Sequence, residues 1–215
     1  MARCIVGRMN APAKREPKMR KETILRRQEI VKAAMLIFGS KGYSNGSLAD
    51  IAEQVGMTHA GVLHHFGSKD QLLLEVLAYR DHSDVQDLEN QHIPDGSEFF
   101  EHLIKTADHN SERPGIVQAY AVLSAESVTE DNPGRHYFAA RYKQLRAEGV
   151  QALEVMCAER GITDPRDLKN AATAVLAAMD GLQVQWLLNP DEVDLGRASE
   201  FAIRAIVAAI VGPEK

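Results

Sequence analysis

The chain has 215 residues, 45% of them hydrophobic and only 6% aromatic, which is apolar material enough for one large domain or two small ones and favours helices over sheets. A net charge of -5 excludes a uniformly basic nucleic-acid binder. The charge is uneven, however: residues 1–70 carry twelve Lys/Arg against six Asp/Glu and residues 71–215 thirteen against twenty-four, so only a basic head suits a polyanion. A basic tail without a partner gives the same asymmetry. Cys4 and Cys157 fall in no metal-ligand spacing and point to a reduced, cytoplasmic compartment. No apolar run approaches the roughly 20 residues that span a bilayer. The opening residues are too short an apolar segment for a secretory signal, and Met9 and Met19 offer alternative starts.

In chain order, residues 1–21 hold Pro12, Pro17 and seven Lys/Arg, which predicts a flexible basic arm. From Thr23, Ile30, Ala34, Ile37 and Phe38 recur at three- and four-residue steps, predicting a helix that Gly39 and Gly42 close near Ser40. A short helix follows from Ser47 to Val55, with Ser47 as cap, Asp50 at the capping-box position, and Leu48, Ile51, Ala52 and Val55 on its apolar face. After Gly56, a second short helix runs from Thr58 to His65, with Val62 and Phe66 inward. Ser68, with Gln71 three residues later, caps a longer helix. Helices are predicted over 68–90, 97–111, 115–129, 133–160, 165–189 and 194–211, with Pro133 and Pro165 as first helical residues after cap-competent Asn132 and Asp164. The fold class is therefore all-α, about nine helices: an arm (1–21), a three-helix N-terminal domain (22–70) and a larger helical domain (71–215), with the helix from 68 linking the two.

Two short helices joined at Gly56 and braced by a preceding helix make a helix-turn-helix. Ile51, Ala52, Val55, Val62 and Phe66 lock the helices together, Ala52 is small enough for close approach, and Gly56 admits the left-handed turn. Thr58 caps the second helix so that its first amides can face phosphate.

Ser47, Ile51, Ala52, Gly56, Met57, Thr58, Phe66, Ser68, Lys69 and Leu72 stand at the spacings of a known pattern, and the stretch from about Arg26 to Leu77 resembles the DNA-binding domain of the tetracycline-repressor (TetR) family. The segment Met179–Trp186 is similar to the penultimate helix of many members. Two positions depart from the pattern. Leu63 stands where the family commonly has a phosphate-contacting Tyr, and Gly61 where Thr or Ser is usual. The candidate DNA-binding residues are Ser47, Thr58, His59, Ala60, Gly61, Leu63, His64, His65 and Lys69, with Lys14, Arg15 and Lys18 of the arm. His59 sits early on the recognition helix, where a side chain reaches a base edge or a phosphate. His64 and His65 point about 100° apart on a helix and do not chelate one ion, so no metal is expected. Lys69 opposes the dipole of its helix, a conflict that a bound phosphate removes.

The resemblance further implies a dimer and a small-molecule effector. The expected dimer seam comprises Ala171, Val175, Met179, Leu182, Phe201, Ile206, Val207 and Ile210. Expected pocket residues are Phe99, Leu103, Tyr120, Leu123, Ser124, Tyr142 and Trp186, with Glu126, Arg141 and Gln183 orienting a ligand; core packing is the competing role for each. The function so implied is a ligand-responsive repressor on a palindromic operator, without cofactor or membrane. An activator of the same fold stays open. So does an enzyme using Glu126 or Asp180 as a base, although the chain has no HExxH and no nucleotide-cradling glycine loop.

Overall fold

The computed structural model describes residues 18–85 and 95–212, and among them the chain forms nine α-helices and no strand. They are α1 (Lys18–Asn45), α2 (Leu48–Gln54), α3 (His59–Phe66), α4 (Lys69–Val85), α5 (Ser97–Ser111), α6 (Pro114–Glu126), α7 (Arg135–Glu159), α8 (Leu168–Leu188) and α9 (Leu195–Val211).

Two large cores hold them together. The first joins Ile30, Ala34 and Phe38 of α1, Ile51 of α2, Val62 and Phe66 of α3 and Leu72, Leu73, Val76 and Leu77 of α4. It does not stop at the head: Ala119, Tyr120 and Leu123 of α6 and Phe138 of α7 belong to it. The second packs α5, α7, α8 and α9 through Phe99, Phe100, Leu153, Met156, Val175 and Ile203. A smaller cluster of Val117, Trp186 and Leu195 ties α6 to α8 and α9.

The helix boundaries correct several expectations. Helix α1 starts at Lys18, inside the segment expected to be an arm. Gly39 does not close it. A Cβ there would lie 3.1 Å from the backbone N and Cα of Ala119, so this glycine lets α1 lie directly on α6. The break comes at Gly42, whose φ of 76° and ψ of 167° interrupt the helical path. Pro133 and Pro165 are not first helical residues: α7 starts at Arg135 and α8 at Leu168. Asn132 instead uses its Oδ1 to accept the Gly134 N–H at 2.8 Å, and α8 opens at Asp167, a left-handed residue (φ 59°). The proline that does start a helix is Pro114, in α6, which ends at Glu126 and not at residue 129. The predicted extension to residue 90 lies partly outside the described residues. Helix α8 is, against expectation, long and apolar enough by composition to cross a membrane, but Ala171, Ala172, Val175, Leu176, Met179, Gln183 and Trp186 are buried inside the protein.

Gly39→Val places a branched side chain against the Ala119 backbone and is expected to cost about 1–3 kcal/mol of folding stability. A urea midpoint equal to that of the parent chain would contradict the close approach.

Candidate functional site

The helix-turn-helix is fixed first by its caps. Ser47 Oγ accepts the Asp50 N–H at 3.0 Å while the Asp50 carboxylate accepts the Ser47 N–H at 3.1 Å, closing a reciprocal box at the start of α2. The Ser47 hydroxyl, the Ser47 backbone N–H and Lys41 hold the Asp50 carboxyl below the usual carboxylate range. Gly56 takes a φ of 63° in the turn, and Thr58 Oγ1 accepts the Gly61 N–H at 3.1 Å at the start of α3. Val62 and Phe66 bury one face of α3, which leaves Thr58, His59, Ala60 and His64 exposed on the opposite face and Gly61 and Leu63 half-buried beside them.

Arg27 locks the far end of α3, a role the sequence reading missed. Its Nη1 donates to the His65 carbonyl, its Nη2 bonds Glu75 at 2.9 Å, and its guanidinium stacks 4.3 Å from the centre of the Phe66 ring. Only its side-chain length and its position one turn before Ile30 hinted at this. His65 is less suited to phosphate than expected, because burial and then the charges of His64, Arg27 and Arg26 push its imidazole towards the neutral form. Lys69 is also held: its Nζ donates to the Ser44 carbonyl at 3.3 Å and lies 4.4 Å from the centre of the Tyr43 ring. Lys18 opens α1, whereas Lys14 and Arg15 lie outside the described residues.

Glu126 belongs to the head–body junction and not to a ligand pocket. Its carboxylate accepts the Tyr43 N–H at 2.6 Å, just past the Gly42 break, and a Cβ on Gly42 would fall 2.2 Å from its Oε1. Tyr43 in turn donates its hydroxyl to Asp70 at the start of α4.

The body encloses a cavity of about 50 Å³ between α4, α5, α6, α7 and α8. Of the residues predicted for a pocket, Leu103, Tyr120, Arg141, Tyr142 and Gln183 line it. Phe99 lies in the second core beside Gly149, Leu123 lies in the shared core, Ser124 bonds its own helix at the Ala121 carbonyl, and Trp186 clusters with Val117 and Leu195. The wall also includes Arg80, His102, Thr106, Leu145, Leu176, Met179 and Asp180. Arg80 was missed because α4 reads as a linker; Asp180, a carboxylate inside the apolar run of α8, carried the visible signal. Burial raises the Asp180 carboxyl above its ordinary value, and burial, followed by Tyr120 and Asp180, raises the Tyr142 hydroxyl.

The residues predicted for a dimer seam lie mostly inside the subunit. Ala171, Val175, Met179 and Val207 are buried within the subunit, and Leu182, Ile206 and Ile210 are half-buried against its cores. Only Phe201 is exposed, at 78%. The outward stripe of α8 is instead Ala174, Ala177, Gly181, Val184 and Leu188.

Comparison with known proteins places this geometry. The model of "Bacterial regulatory proteins, tetR family" matches residues 30–76, and that of "BetI-type transcriptional repressor, C-terminal" matches residues 103–211. The chain is 28% identical over 193 residues to the HTH-type transcriptional regulator TtgR of Pseudomonas putida, covering 79% of this chain and 83% of that one. Two solved structures share the fold at a TM-score of 0.68 and 21% identity. One, a transcriptional regulator from Saccharomonospora viridis in complex with choline, aligns over 87% of this chain and 98% of its own. The other is a triclosan complex of SmeT, the repressor of a Stenotrophomonas maltophilia multidrug efflux pump, aligned over 88% of this chain and 97% of its own.

Ser47→Ala removes the cap of α2 and is expected to cost about 1 kcal/mol at neutral pH. A carboxyl held low when folded contributes stability above its unfolded value, and that contribution disappears as pH falls through the folded one. The deficit of the variant should therefore shrink on acidification from pH 7 to about 3. A deficit in the urea midpoint that stays constant or grows over that range would contradict the box.

Proposed function

The chain belongs to the TetR family of bacterial regulatory proteins, and on that premise we propose that it is a homodimeric, ligand-responsive repressor whose α3 enters the major groove of a palindromic operator. The observation that carries the DNA reading is the two-sidedness of α3. One face is locked by Val62, Phe66 and Arg27, while Thr58, His59, Ala60 and His64 stand free to meet base edges and phosphates. Leu63 makes apolar contact where a hydroxyl is more usual, so phosphate anchoring falls to Thr58, His64, Ser47 and the basic residues preceding α1.

The outward stripe of α8 and the exposed Phe201 of α9 support a four-helix dimer seam. Small residues along α8 let a second copy approach closely, and Leu188, 81% exposed, adds apolar area at its end. Such a pair sets two recognition helices roughly 34–36 Å apart, one turn of the duplex.

Adjacent residues of α6 suggest how an effector acts. Ala119 touches Gly39 of α1, and Tyr120 lines the cavity. A ligand that displaces Tyr120 shifts the surface on which the head rests, and DNA affinity falls by the difference in the ligand's affinity for the two arrangements. The relatives are regulators and not catalysts, which supports a non-enzymatic protein that works on cytoplasmic DNA.

Electrophoretic shifts with genomic fragments test the reading, and a discrete high-affinity site at moderate salt is the expected result. His59→Ala should lose about 1–3 kcal/mol of discrimination at one base step per half-site. Phe201→Glu should give a monomer in sedimentation and weaken operator binding by orders of magnitude. A Phe201→Glu chain that sediments as a dimer would overturn the proposed seam.

A further inference from the structure

A second opening in the body, a cleft of about 190 Å³, lies between α5, the end of α7 and α9. We propose that this cleft is a binding site of its own for a compact, uncharged hydrophobic molecule, of the size of one aromatic ring with a short alkyl group. The inference goes beyond the effector reading above and does not rest on it.

The walls of the cleft are core material. Phe100, Met156, Ile203, Val207 and Val211 are buried members of the second core, and half-buried Ile104 packs against it. Apolar side chains that face a gap forfeit the dispersion contacts of a close-packed interior, and a molecule of matching shape restores them. The Phe100 ring, edge-on to Phe99 with 5.2 Å between centres, gives the cleft an aromatic wall. Met156 is unbranched and polarizable, so it adapts to the outline of a ring. Size sets the upper limit. An apolar cavity of about 150 Å³ already takes benzene, whereas drug-sized ligands need roughly 300 Å³ or more. A cleft of about 190 Å³ therefore suits a single substituted ring.

The rim argues for an uncharged ligand. The cleft reaches solvent at Ser97 and Arg160, both exposed. Its charged groups are engaged within the protein: Arg204 pairs with Glu101 at 2.9 Å and with Glu200 at 2.8 Å, and Arg160 Nη1 donates to the carbonyls of Val211 and Gly212, each at 2.9 Å. An ionised group drawn down between Phe100, Met156 and Val207 would exchange its water for apolar contacts, at a cost that a neutral ring does not meet. The cleft is also separate from the cavity beside Tyr120. The two share no lining residue, and α5 stands between them, turning Phe100 and Ile104 to the cleft and Leu103 and Thr106 to the cavity. The cavity holds only about 50 Å³ and has Arg80, Arg141 and Asp180 in its wall, so a neutral ring favours the cleft.

Two methionines report on the two places separately, since Met156 lines the cleft and Met179 the cavity. The test is an NMR titration of the full chain, labelled at the methionine methyl groups, with toluene and with its charged counterparts benzoate and benzylammonium. Toluene should shift the Met156 signal saturably and leave Met179 unmoved, and both ions should bind there at least tenfold more weakly. Ala208→Leu narrows the cleft and should weaken toluene binding at least tenfold; the titrations of the parent chain need no variant that folds. A Met156 signal that toluene does not move, the result if a second copy of the chain covered the cleft, overturns the proposal. So does a Met179 signal that moves with the same saturation curve, either ion binding within tenfold of toluene, or unchanged toluene affinity in a folded Ala208→Leu chain.

Discussion

The arrangement depends on one close approach, that of α1 to α6 at Gly39. Without a side chain at this position, the two backbones meet at the Ala119 turn, and Ile30, Ala34 and Phe38 share a core with Tyr120 and Leu123. Next to it, the Glu126 carboxylate takes the Tyr43 N–H exposed where Gly42 breaks α1. The head is consequently an extension of the body's own packing. The orientation of the recognition helix is set from below, through α1 and the start of α4, as much as by the caps and apolar contacts within the helix-turn-helix.

That continuity gives α6 two duties. Ala119 and Glu126 face the head, while Tyr120 and its stacked Arg80 face the cavity. Coupling between the two ends then needs no long chain of contacts, because a single helix touches both. Charged groups lining the cavity are paired within the protein, so a ligand must compete with those pairs to enter.

Much of this was legible in the residues. Capping sites at Ser47 and Thr58, the turn at Gly56 and the apolar faces of α2 and α3 follow from local chemistry, and local chemistry is what a single sequence displays. Long-range contacts were not legible. Gly39 read as a helix stop because a glycine near a helix end ordinarily is one, whereas its purpose here is to meet a helix some eighty residues away. Glu126 read as a ligand group because its partner, a backbone N–H, leaves no trace in composition. Most residues predicted for a dimer seam pack within the subunit for a related reason. Apolar periodicity marks the most hydrophobic face of α8 and α9, which is the subunit's own core; the outward face of α8 is built largely of small residues that the pattern underweights. The cavity residues on α7 and α8 were partly visible, since Arg141 and Asp180 interrupt helical faces, but Arg80 lay on a helix with no such cue.

Native-state hydrogen exchange measures the shared core most directly. If the head is an extension of the body, the slowest amides of α1, from Ile30 to Phe38, and those of α6, from Ala119 to Leu123, open with the same free energy, that of global unfolding. Amides of α1 that open several kcal/mol more easily than those of α6, in a transition of their own, would show that the head folds and moves as a separate unit and would contradict the account.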